Sequence, residues 1–207
     1  MTAPMDPHLA PPGAGLPRLE LLFARALFGL RRLTASRRSF DVRFVREREL
    51  IRGLLRTCDA ETGARRVLIR RLAGLEDSSR YWSVWMTLDH LRIVHESLAL
   101  LIGDLVREVT PAGAASTAAV KPSADVGPEV VVAFEASCDT LASTVAASPS
   151  LNTRARYPHP WFGSLNAAGW HALAGMHMGI HRAQIDRILS GLCGADRYKP
   201  SDRSDHL

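Results

Sequence analysis

His177 and His181, four residues apart in a long helical pattern near the C-terminus, are the pair in this chain best placed to hold a metal ion. At 3.6 residues per turn they lie only about 40° apart around a helix, one above the other, so both imidazoles can point at one cation. Asn166, Trp170, Ala174, Gln184, Ile188 and Leu192 fall on the same stripe, which marks it as the buried face. Gln184, about one turn beyond the pair, is placed to hydrogen-bond a ligating imidazole or a bound water. Two ligands leave a site incomplete, and histidines at this spacing also occur as hydrogen-bonded core residues. The metal reading therefore requires a third ligand from another element.

A second long helical pattern, residues 82–109, carries two candidates, His90 and His95. With His90 as origin and 100° per residue, Val84, Leu91, Leu98, Ile102 and Leu105 lie between roughly 60° and 120°, and His95 at about 140°. The two histidines thus flank one apolar stripe, opposite a polar face of Asp89, Arg92, Glu96 and Gly103. Periodicity does not choose between them: either can turn inward, leaving the other as a solvated edge residue.

The run Trp82-Ser83-Val84-Trp85-Met86-Thr87-Leu88-Asp89-His90-Leu91, followed by His159-Pro160-Trp161-Phe162-Gly163, Trp170, His177, His181 and Gln184, resembles the DinB-like superfamily over roughly residues 45–193. The resemblance implies an all-α, antiparallel four-helix bundle with a metal held by three histidines, one from the second bundle helix and two from the fourth. Carried over, these fall on His90, His177 and His181, while His95 has no counterpart. Tetrahedral zinc is the chemical template, and nickel suits imidazole as well. Three neutral imidazoles leave the ion's charge uncompensated and a position open, as in catalytic rather than structural sites. An open position can acidify water for hydrolysis or hold a substrate thiol as thiolate. The resemblance favours the thiol, since several members are similar to transferases and isomerases that use a low-molecular-weight thiol. The expectation is a metal-dependent enzyme, a thiol-dependent transferase or hydrolase acting on a small molecule. The alternative is a non-catalytic metal- or ligand-binding or interaction protein. The resemblance also makes a homodimer an expected assembly.

Other elements must position these residues. Met1 to Pro17, rich in proline, glycine and alanine, is expected to be disordered. Residues 16–34 read as an amphipathic helix whose Leu19, Leu22, Phe23, Ala26, Leu27 and Leu30 should pack on the bundle or on a second chain. Ser39 and Asp41 offer N-caps for a helix to about Cys58, and residues 61–72 read as helical up to Gly74. Residues 110–128 form a crossover loop before a helix over 129–147, which Pro149 ends. Pro158 and Pro160 stiffen the approach to the last helix, with Ser164 or Asn166 as its cap. Nothing in the pattern indicates a sheet. The domain division is an N-terminal extension at 1–40, the bundle at 41–195 and a flexible tail at 196–207.

Charge and cysteines bound the function further. Residues 16–56 hold eleven arginines against four acids, more positive than the whole chain's net +5. A basic helix can meet nucleic acid or anionic lipid, but with Lys121 and Lys199 the only lysines among 26 basic residues, arginine is simply the default cation here. No nucleic-acid partner is expected. Residues 19–30 are too short and too charged to span a bilayer, so no transmembrane segment is expected either. Cys58, Cys138 and Cys193, odd in number and widely spaced, fit a reducing cytoplasm, and Cys138 and Cys193 read as small buried hydrophobes, with a reactive thiol as the alternative. Trp82, Trp85, Trp161 and Trp170 all fall in the histidine-bearing segments and are expected to wall the site. His159, between two prolines, is either a turn-ordering residue or a proton shuttle. His171, about 120° from His177, reads as a surface or interface residue.

Overall fold

Helical periodicity accounts for most of the chain. In the computed structural model, which describes residues 7–196, the helices are α1 (Arg18–Thr34), α2 (Arg37–Leu55), the short α3 (Ala60–Ala64), α4 (Val84–Val106), α5 (Val130–Ala147) and α6 (Ala167–Asp196). The long helices α2, α4, α5 and α6 form the expected all-α four-helix bundle, around a core that includes Ile51, Leu88, Ile102, Phe134, Met178 and Ile185.

Side-chain pairings set the helix directions. Asp41, Phe44 and Glu47 of α2 meet His171, Gly175 and Arg182 of α6 in ascending order, so these two run parallel. Arg37 reaches the carbonyls of Val145 and Ser148, whereas Arg48 and Arg52 pair with Glu135, so α2 and α5 are antiparallel. Ser79, just before α4, accepts from Gln184 while His90 meets His177, so α4 and α6 are antiparallel too. It follows that α4 and α5 point the same way, which a short turn cannot connect. The crossover at residues 110–128 returns the chain along the bundle and brings its 3₁₀ turn, Ala118–Val120, to the level of His90.

Local chemistry starts and spaces these helices. The Ser83 hydroxyl accepts from Met86 N at 3.1 Å and begins α4, and Asn166 Oδ1 accepts from Gly169 N at 3.0 Å and begins α6. For α2 the cap is Ser36 rather than Ser39 or Asp41, because Ser36 has extended backbone and its hydroxyl accepts from Ser39 N. Gly175 lets α2 approach α6 closely: a Cβ there would lie 3.2 Å from the backbone nitrogen of Phe44.

Several expectations are corrected. Of residues 61–72 only the start is helical. Val67–Leu68 (β1) instead pairs with Tyr81–Trp82 (β2), and Tyr157–His159 (β3) pairs with Gly163–Leu165 (β4), so two small antiparallel hairpins are present where no sheet was expected. Residues 7–17 are not disordered: Ala10 N donates to Asp77 at 2.8 Å and Gly13 N to Glu76 at 3.4 Å. Residues 1–6 and the tail from 197 onward lie outside the described residues. Helix α1 packs on the bundle with the face opposite its apolar stripe. Phe28 meets Phe162 at 4.6 Å, Arg25 donates to Trp161 O and Glu20 pairs with Arg71, while Leu19, Leu22, Leu30 and Leu33 face outward. By length and composition α5 is apolar enough to cross a membrane, but it is paired with α4 in the bundle.

Candidate metal centre

Opposed directions of α4 and α6 bring one histidine of α4 onto the histidine pair of α6. The Nε2 atoms of His90 and His181 lie 3.1 Å and 3.2 Å from Nε2 of His177, and one ligand atom from each of the three falls within 4.8 Å of the others. Nitrogens sharing one tetrahedral ion at 2.0–2.1 Å sit about 3.3–3.4 Å apart, so the cluster already has the spacing of a ligand set.

Hydrogen bonds behind the ring atoms set the tautomers. The Gln184 amide is fully buried, and its NH₂ donates to Ser79 O at 2.8 Å, which turns its Oε1 to accept from His181 Nδ1 at 2.7 Å. His90 Nδ1 donates to Val120 O at 2.6 Å. A protonated Nδ1 leaves a lone pair on Nε2, so His90 and His181 both aim lone pairs at His177 Nε2. His177 has a single ring N–H to offer, and its Nδ1 is buried without a partner among the described residues. One cation satisfies all three inward nitrogens where one N–H cannot. Burial pulls the His177 and His181 pKa values well below the usual histidine range and that of His90 down to about 4. At neutral pH the three are therefore neutral, the state in which imidazole ligates.

Trp82 stacks on His181 at 6.1 Å and tilts over His90 at 5.2 Å. The Lys121 ammonium lies 5.0 Å from the Trp82 ring, donates to Ser78 and Ser79 hydroxyls at 2.8 Å and 2.9 Å, and faces Glu76 at 3.6 Å. Burial lowers the Lys121 pKa. This ion pair escapes sequence reasoning because both residues lie in irregular segments that only the fold brings together. The one available signal was Lys121 itself, a lysine in an arginine-dominated chain.

His159 orders its turn: Nδ1 accepts from Trp161 N at 3.0 Å and Phe162 N at 3.4 Å, and burial holds its pKa to about 4. Trp161 and Trp170 line the cleft above the histidines, but Trp85 is away from them, stacked over Gly63 with its N–H donating to Ala60 O. His95 is not a solvated edge residue. It is fully buried between Phe44 and Phe134, on the side of α4 that faces α2 and α5. His171 is buried rather than superficial, paired with Asp41 at 2.9 Å across the α2–α6 seam. Of the cysteines, Cys138 is buried, but Cys193 is exposed and Cys58 half-buried.

Fold and site together define a four-helix bundle with a histidine triad that could hold a metal ion. No family model matches the chain, and no curated protein matches its sequence. Among solved structures it is similar to TT2238, a four-helix bundle protein, with a TM-score of 0.52 and 22% identity over 77% of this chain and 99% of that one. A likeness at that identity shows the fold.

Proposed function

We propose that the chain is a DinB-like metal-binding protein in which His90, His177 and His181 hold one divalent transition ion, zinc or nickel, and that it acts as a metal-dependent enzyme on a small molecule. The observation that carries the reading is the pair of lone-pair-bearing Nε2 atoms, oriented by Val120 O and Gln184, converging on His177 Nε2. The resemblance in the Trp82–Leu91 run and the His-Pro-Trp-Phe-Gly motif supports the same ligand set and favours a low-molecular-weight thiol as co-substrate. When bound, such an ion supplies an open position that acidifies a thiol or a water. The chain's own residues orient the ligands, exclude water from one side through Trp82, and place the Lys121 ammonium beside the site.

A second reading, metal or ligand binding without catalysis, is favoured by the state of Glu76. This buried carboxylate beside the triad accepts from Thr117 and Gly13 and pairs with Lys121, which leaves it poorly placed as a general base. Metal analysis of tag-free protein should give one ion per chain, lost in His90→Ala and His177→Ala. Wild-type protein that retains no ion after loading and dialysis refutes the enzyme reading and the metal-binding form of the second. A turnover screen with small thiols then separates them.

A further inference from the structure

The triad sits at one end of a cleft of about 820 Å³ whose chemistry changes along its length. Beside the histidines the lining is polar, with Glu76, Ser79, Thr117 and Lys121. Along α4 it becomes largely apolar as far as Leu101, with Ser97 among the leucines and Asp104 at the far end: Leu98 and Leu101 follow His90 by eight and eleven residues, about 12 and 16 Å at 1.5 Å per residue. Antiparallel α6 continues the same wall, since Leu173 and Trp170 precede His177 and so run the same way from the triad. On the far side α1 offers Phe23 and Leu27, which line the cleft yet remain 73% and 54% exposed. Apolar walls left open to water are surface that an apolar ligand buries favourably.

We infer that the cleft takes an amphiphilic small molecule, with its polar head at the histidine cluster and its aliphatic chain running between α4, α6 and α1. The head's anchor rests on the metal reading above, whereas the chain's binding stands on the cleft alone. Its length matches an acyl chain better than a compact polar metabolite, because the apolar lining continues for roughly three helical turns beyond His90.

The test uses full-length, cobalt-loaded protein titrated with alkyl hydroxamates from acetyl to octanoyl, read through the cobalt spectrum. Each added methylene should tighten binding about three- to fourfold until the cleft is filled. In the Phe23→Ser/Leu27→Ser variant, whose changed side chains are exposed and spare the core, the octanoyl Kd should rise several-fold while the acetyl Kd stays put. In parallel, a fluorescent polyene fatty acid bound to metal-free protein should be displaced better by octanoate than by butyrate. If cobalt is not taken up, the metal reading fails and the displacement series alone decides the cleft. A flat dependence on chain length in either series overturns the inference.

Discussion

His95 provides a sharp test of the burial argument, because it titrates in the core rather than at the triad. Its ring lies 5.3 Å from that of Phe44 and 5.8 Å from that of Phe134, with Nδ1 3.4 Å from the Ser137 hydroxyl and Nε2 unpartnered among the described residues. Desolvation drives its pKa from 6.5 down to about 3, with the charges of His90 and Arg48 adding to the shift. Since the folded value is depressed, the unfolded chain binds a proton that the folded one refuses throughout the window between them. The resulting cost is absent above pH about 6.5, grows as pH falls and levels off below about 3. At pH 5 it amounts to about 2 kcal/mol, 1.5 pKa intervals at 1.36 kcal/mol each. His95→Leu removes the titrating group while keeping the site filled and apolar. Urea unfolding of wild type and variant, both with chelator present, should show the variant gaining about 2 kcal/mol relative to wild type between pH 7.5 and pH 5. The other depressed histidines titrate in both proteins and cancel in the comparison. A stability difference that is the same at both pH values would refute the assignment of His95 as a buried neutral imidazole. Metal stoichiometry should be unchanged by His95→Leu.

Gln184→Leu removes the acceptor that orients His181 and should weaken metal affinity about 10- to 100-fold, measured by chelator competition; unchanged affinity would show that His181 needs no such orientation. For the thiols, burial pushes Cys138 up to about 12, so in folded protein at pH 8 a disulfide reagent should leave it unmodified while exposed Cys193 reacts within minutes. Rapid labelling of Cys138 without denaturant would contradict the packing of α4 on α5.

What could be read from the residues was whatever repeats locally. The stripe from Asn166 to Leu192 and the flanking of an apolar stripe by His90 and His95 follow from 3.6 residues per turn, and the placement of Gln184 one turn past the pair is the same geometry. The crossover at residues 110–128 was legible from its proline, glycine and small residues and the Asn166 cap from its residue type, while the bundle itself was what the family resemblance implied. Periodicity did not choose between His90 and His95, because both border the core; the choice of His90 came from the family resemblance. Only the antiparallel docking of α4 on α6 turns His90 to the triad and leaves His95 on the α2–α5 side. The Lys121–Glu76 pair and the Val120 carbonyl behind His90 join residues 45 and 30 apart in the chain, and the crossover segment that carries Val120 and Lys121 has no period to read. The hairpins were hidden too, because strands of two and three residues are too short to show an alternating pattern and are defined only by their pairing. For α1 the period was right, and of the two surfaces offered for its apolar stripe, the bundle and a second chain, the bundle took mainly the other face. Its apolar stripe implied burial, yet Phe28, Arg25 and Glu20 on the other face found Phe162, Trp161 and Arg71. Local sequence determines which side chains share a helix face; which face meets the bundle is decided by contacts between elements far apart in the chain, whose free energies exist only once the tertiary structure has formed.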